Sequence, residues 1–205
     1  MTEGDEPPSF VLVHADESCL GNQFDGDNPG GAGALIEARL PEGGVGRWDL
    51  WVSSPATTNN RMALRGAIEV CRHLFRQDRS VEIHYYSDSK YLVEGITSWL
   101  PAWKRRGWRR RGGPIENLDL WQALDETVET RPVTFHWVRG HAGHPKNEYA
   151  DHLAVGAARR QDQSGGLTVS RLAAWLAQPA GTKAFAAYDP DRHFAELEAR
   201  ARTPA

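Results

Sequence analysis

Short apolar, β-branched runs dominate the first quarter of the chain and longer-period stripes dominate the rest. Phe10 to His14 (FVLVH) is a compact hydrophobic run, and Gly31 to Leu40 and Gly46 to Ser54 follow it with glycine-rich turns between them. Such runs separated by turn residues predict an antiparallel meander. From Thr58 the period changes. Thr58 or Asn59 is placed to cap a helix, and Leu64, Ala67, Ile68, Cys71, Leu74 and Phe75 fall on one face at the i, i+3, i+4, i+7 spacing. Val81 to Ser87 then reads as a strand, Asp88 to Thr97 and Leu118 to Thr130 as helices, and Val133 to Val138 as a fifth strand. Pro145 opens a last helix through Arg160, since a first turn has no use for the N–H that proline lacks.

Three strands, then helix, strand, helices, strand and helix describe an α/β fold, with a mixed five-stranded sheet flanked by helices. One domain is expected over residues 9–160. QDQSGG follows as a linker, and an extension runs to residue 205 with an amphipathic stretch around Leu172, Trp175 and Leu176. For this extension, a helix packed back on the domain is preferred to a partner- or nucleic-acid-binding appendage.

The 205 residues are 40% hydrophobic and 25% charged, close to globular averages, so a packed core can form. Cys19 and Cys71 are too few and too unpatterned for a disulfide framework, which fits a reducing compartment. No apolar run approaches the ~20 residues that span a bilayer, and the start, MTEGDEPPSF, lacks the parts of a secretory signal. A cytoplasmic monomer without a membrane partner is expected. The net charge of -3 restricts any polyanion contact to a local cluster, and KRRGWRRR from Lys104 to Arg111 places six cations in eight positions. Trp99, Trp103 and Trp108 interleave with it. Cations that neutralise phosphates beside indole faces that stack on sugars or bases give sequence-tolerant nucleic-acid binding, although a solvated loop beside buried tryptophans has the same composition.

Asp16 ends the first strand, Asp88 follows the fourth, and Asp151 lies about one and a half turns into the last helix. Three carboxylates meeting at one sheet rim repel one another unless a hard cation sits among them, so Mg²⁺ or Mn²⁺ is the expected occupant. Asp88 alone reads equally well as a helix cap. His141, flanked by Gly140 and Gly143, suits a mobile proton carrier, or it is a loop histidine bonded to backbone.

Taken in series, HADESCLGN, TTNNRM, YYSDSKYLVEGI, SWLPAWKRRGW with NLDLW, and VRGHAGHPKNEYADHLA resemble the ribonuclease H type 1 family over approximately Ser9 to Ala158. The resemblance implies sheet order 3-2-1-4-5, two divalent ions, and hydrolysis of the RNA strand of an RNA/DNA hybrid. It implies Asp16, Asp88 and Asp151 as metal ligands and His141 as proton shuttle. Asn22, Asn59 and Asn60 match positions that touch the hybrid, and Thr58 matches a contact to a DNA phosphate. Trp99, Trp103, Lys104, Arg105, Arg106 and Trp108 belong to the matching basic protrusion.

One departure stands out. The family pattern TTNNRMEL carries a fourth metal-binding glutamate where this chain has Ala63. A methyl group neither binds a cation nor accepts a hydrogen bond. The expectation is impaired cleavage with hybrid binding retained, an introduced Glu-to-Ala change being preferred to natural loss; a non-catalytic hybrid-binding module is the alternative. Natural loss would need a substitute carboxylate. Glu17 is nearest in sequence, but strand alternation is expected to point it away from the metals, and Glu69 lies well off the face of Ala63.

Overall fold

The computed structural model describes residues 10–21, 28–78, 80–140, 143–179 and 184–202. Its strands are β1 (Phe10–Cys19), β2 (Gly30–Arg39), β3 (Val45–Ser54), β4 (Glu82–Ser87), β5 (Val133–Trp137) and β6 (Thr168–Val169). Its helices are α1 (Asn59–Gln77), α2 (Lys90–Glu94), α3 (Leu100–Arg105), α4 (Leu118–Val128), α5 (Pro145–Arg160), α6 (Leu172–Leu176) and α7 (Pro190–Ala201). The sheet order is β5-β4-β1-β2-β3-β6. The expected five strands stand in the expected order, and two residues of the extension add a short sixth against β3.

β1 pairs antiparallel with β2 and parallel with β4, so it lies at the centre of the sheet. Its alternate residues feed two layers. Val11, Val13 and Ala15 join the larger core with Leu64, Ala67, Ile68 and Cys71 of α1. Phe10 and Leu12 face the other way, against Phe194 and Leu197 of α7. The stripe expected on α1 is buried throughout, and Thr58 caps the helix by accepting from the Arg61 N–H at 3.3 Å.

On the second layer, α5 lies directly on β2, because its inward residues are Ala150, Ala154, Ala157 and Ala158 and the strand offers glycines beneath them. A Cβ on Gly31 would stand 2.3 Å from the Ala154 carbonyl oxygen. Small residues on both sides bring the helix that carries Asp151 close to the strand rim that carries Asp16.

The predicted helix from Asp88 starts two residues later and is interrupted. α2 passes into a π-helical turn at Gly95–Trp99 before α3, and Gly95 is pressed against the Trp121 ring, where a Cβ would meet the indole at 2.1 Å. In the extension, α7 packs on β1 and the QDQSGG segment runs against β3. Asp162 accepts from Trp51 Nε1 at 2.9 Å, and the Ser164 N–H donates to the Trp51 carbonyl at 3.0 Å. No helix among the described residues is long and apolar enough to cross a membrane.

Beneath the extension lies a buried charge network. Lys146 and Glu37 are both fully buried and pair at 2.6 Å. Arg47 adds a second cation to Glu37 at 2.8 Å and reaches Asp191 at the start of α7. Burial pushes the Lys146 ammonium below its ordinary range, while Glu37 opposes that shift.

Candidate active site

The candidate site forms where the sheet runs out. Parallel pairing between β1 and β4 ends at Ala15 and Ser87, while β1 continues against β2 to Cys19. Asp16 and Glu17 therefore project from a strand that has lost its β4 neighbour, and Asp88 lies just past the end of β4. Asp16 turns toward α5, where the buried Asn147 donates to its Oδ2 at 2.6 Å and the Glu17 N–H donates to its Oδ1 at 2.7 Å. Glu17 is on the opposite face, the side of the α1 core layer, with Asp88 near its carboxylate. Alternation separates the two side chains, yet both reach the open rim, against the expectation that Glu17 points away from the metal site. Ligand oxygens of Asp16, Glu17 and Asp88 all lie within 4.8 Å of one another.

The electrostatics match that crowding. Burial first, then repulsion from Asp88, raises Asp16 to about 9. The same two causes raise Glu17 to about 8. Asp151 of α5 also raises Asp16, although it stands outside the 4.8 Å group. Behind Asp88, Trp137 donates its indole N–H to the Asp88 carbonyl at 3.1 Å, and Gly140 lies against the carboxylate, where a Cβ would meet Oδ2 at 2.0 Å. Asp88 does not cap α2; Ser89 occupies the cap position.

Three further expectations change. Ala63 is buried on α1 in the layer from which Glu17 approaches, so a carboxylate does reach the site from that side. The strand-alternation argument against Glu17 held for its direction but not for its reach, because alternation constrains position only while neighbouring strands continue. Trp103 is 9% exposed, packed 6.0 Å from Trp99 and 5.7 Å from Trp121, so its faces are occupied within the protein. Lys104 is taken up by α4, donating to Asp125 at 2.9 Å and Glu129 at 2.6 Å. Arg105 and Arg106 are exposed, while Trp99 and Trp108 are partly so. Trp108 adopts φ 60 after Gly107 at φ 62, a left-handed pair within the basic segment.

Thr58, Asn59 and Asn60 sit at the first turn of α1, and Asn59 Oδ1 has no hydrogen-bond partner among the described residues. His141 and Asn22 lie outside the described residues. Asn147 is the site residue that motif reading passed over, and Glu17 entered it only as a substitute expected to point away. The signal available for Glu17 was the short run VEIHYYS, which predicts that β4 stops at Ser87, close to the level of Asp16.

A mixed sheet in this order, with acidic residues from β1 and the end of β4 and a further aspartate on α5, defines a nuclease of the ribonuclease H fold. Comparison with known proteins agrees. The RNase H family model matches residues 8–159. Ribonuclease H of Stutzerimonas stutzeri (strain A1501) is 45% identical over 156 residues, covering 74% of this chain and 95% of that protein. Ribonuclease HI of Pseudomonas aeruginosa (the PAO1 strain) is 46% identical over 145 residues, covering 70% and 90%. The crystal structure of LC9-RNase H1, described as a type 1 RNase H with the type 2 active-site motif, superposes with TM-score 0.82 at 50% identity, covering 88% of this chain and 87% of that one. The chain belongs to the ribonuclease H family, and to its type 1 branch.

Proposed function

We propose that this chain hydrolyses the RNA strand of RNA/DNA hybrids, using a carboxylate site of Asp16, Glu17, Asp88 and Asp151 in which Glu17 takes the part of the glutamate missing at Ala63. The observation that carries this is the convergence of Asp16, Glu17 and Asp88 within 4.8 Å. The donor set suits the group it would hold: clustered hard oxygens with raised proton affinities favour Mg²⁺ or Mn²⁺ over softer ions. Two such ions, when bound, would activate water and neutralise charge on the reacting phosphate.

The chain's own residues supply the rest. Asn147 fixes Asp16 through its 2.6 Å bond, and Trp137 and Gly140 bracket Asp88. His141, in a segment flanked by glycines, serves as the proton carrier for the leaving oxygen. Thr58, Asn59, Asn60 and Asn22 form the near contact to the hybrid. Exposed Arg105 and Arg106, with Trp99 and Trp108, form the far one. Lys104 and Trp103 hold that protrusion in place.

Incubation of labelled hybrid with Mg²⁺ or Mn²⁺ tests the reading. The chain as it stands is expected to cleave, Glu17→Gln to lose at least ~100-fold, and Ala63→Glu to gain nothing. No cleavage by the chain alongside clear cleavage by Ala63→Glu would overturn it. Tight hybrid binding without cleavage by either protein would identify a non-catalytic binding module instead.

A further inference from the structure

The extension, β3 and α5 border a cavity of about 600 Å³, and none of Asp16, Glu17, Asp88 and Asp151 lines it. Asp49 of β3 stands in its wall, 3% exposed. One of its oxygens is occupied: Oδ2 accepts from the Tyr149 hydroxyl at 2.6 Å and from the Arg171 N–H at 3.1 Å. The other, Oδ1, is closed to solvent and has no donor among the described residues. Such an acceptor has lost water without replacing it. Two indoles share the wall. Trp51 is fixed by its N–H on Asp162 at 2.9 Å, and Trp175 of α6 stacks on Phe185 at 5.7 Å, both remaining partly exposed. The exposed part of the wall is cationic. Arg160 is held by Asp162 at 3.0 Å, whereas the exposed Arg171 side chain has no ion pair among the described residues.

We propose that this cavity binds a purine nucleotide, with a base N–H donated to Asp49 Oδ1, the ring against the indoles and the phosphate on Arg171. Its features disfavour simpler occupants. An inorganic anion meets the Asp49 carboxylate, a simple cation meets Arg171, and an apolar molecule leaves both unmatched. A nucleotide carries a donor edge, a flat ring and an anion in one molecule. Stacking on indoles favours the larger purine face. Adenine and guanine each present an amino group for the unmatched oxygen, and guanine a ring N–H beside it. The space agrees, since cavities of roughly 300–1,000 Å³ hold ligands of this size. A free mononucleotide and the last nucleotide of a single strand offer the same chemistry.

The test titrates the full chain calorimetrically with GMP, guanosine, inorganic phosphate, L-tryptophan and a short single-stranded RNA ending in a guanosine nucleotide. Chelator is present throughout, so that no metal recruits phosphate to the carboxylate rim. GMP is expected to bind saturably and at least ~10-fold more tightly than guanosine, phosphate or tryptophan. Arg171→Ala keeps the backbone N–H that holds Asp49 and removes the guanidinium alone. It should weaken GMP about 10-fold while Tm and hybrid cleavage stay parental. Trp175→Ala should weaken GMP by about the same factor. Asp49→Asn, which can set an amide donor against the base N–H, should weaken it as well. Tighter binding of the RNA than of GMP assigns the site to a strand end, and the reverse to a free nucleotide; either supports the proposal when Arg171→Ala lowers it. No saturable GMP uptake at millimolar concentration overturns the proposal, as does parental GMP affinity in Arg171→Ala or equal affinity for L-tryptophan.

Discussion

Replacing Gly140 with alanine isolates the placement of Asp88 from every other property of the site. The added Cβ would stand 2.0 Å from Asp88 Oδ2, against an ordinary contact of at least 3.4 Å, so the carboxylate must retreat by about 1.4 Å. Gly140 is not among the glycines with positive φ, so alanine fits its backbone and the strain falls on the neighbouring side chain. Trp137 holds the Asp88 carbonyl from behind, which limits relief by backbone movement. A displacement of 1 Å at a reacting centre costs on the order of 100-fold in rate, about 2.7 kcal/mol of barrier. Single-turnover cleavage of a labelled hybrid at saturating Mg²⁺ is therefore expected to slow about 100-fold, while stability changes by no more than about 0.5 kcal/mol, as for a surface loop position. Hybrid affinity measured in Ca²⁺ should be retained. A Gly140→Ala protein that cleaves at the parental rate would refute the assignment of Asp88 as a ligand held in place by this loop.

Three more outcomes follow from the same contacts. In chelator, Asp16 at about 9 and Glu17 at about 8 hold protons that the unfolded chain releases near pH 4, so this contribution is complete below pH 4 and is lost as pH rises to 9. Denaturant melts should show about 4 kcal/mol lost between pH 7 and 9, above the histidine range, with Mn²⁺ reversing the loss; flat stability with no metal effect counts against the cluster. Lys146→Ala leaves buried Glu37 paired with the partly exposed Arg47 and should cost about 3 kcal/mol by urea midpoint, whereas Lys146→Met with Glu37→Leu should recover most of it. Phe194→Ala opens the contact with Phe10 under α7 and should cost about 3 kcal/mol, read by urea denaturation or by earlier proteolysis of the extension; an unchanged protein would mean the extension is not docked in solution.

Much of this was legible along the chain because it depends on local periodicity. The α1 stripe, the turn from meander to α/β, and the rim positions of Asp16 and Asp88 follow from residue spacing alone, since burial on one face imposes period 2 or 3.6 wherever it occurs. The spacing of the five motifs carried the family. What it did not carry was pairing between distant groups. Lys104 counts as a free cation until α4 places Asp125 and Glu129 beside it. Trp103 counts as a stacking face until Trp121 covers it. The extension's place on the sheet, with Phe194 and Leu197 against Phe10 and Leu12, is set only in three dimensions.

Ala63 and Glu17 divide the two kinds of information most clearly. The sequence by itself determined that the helix lacks a carboxylate at Ala63 and that Asp16 and Glu17 alternate on one strand. Only the tertiary structure decided that facing away is no obstacle, because β4 ends at Ser87 and leaves an open rim that both faces of β1 can reach. Where one strand stops relative to another is set by the packing of the whole sheet, and that endpoint turns a residue beside the site into part of it.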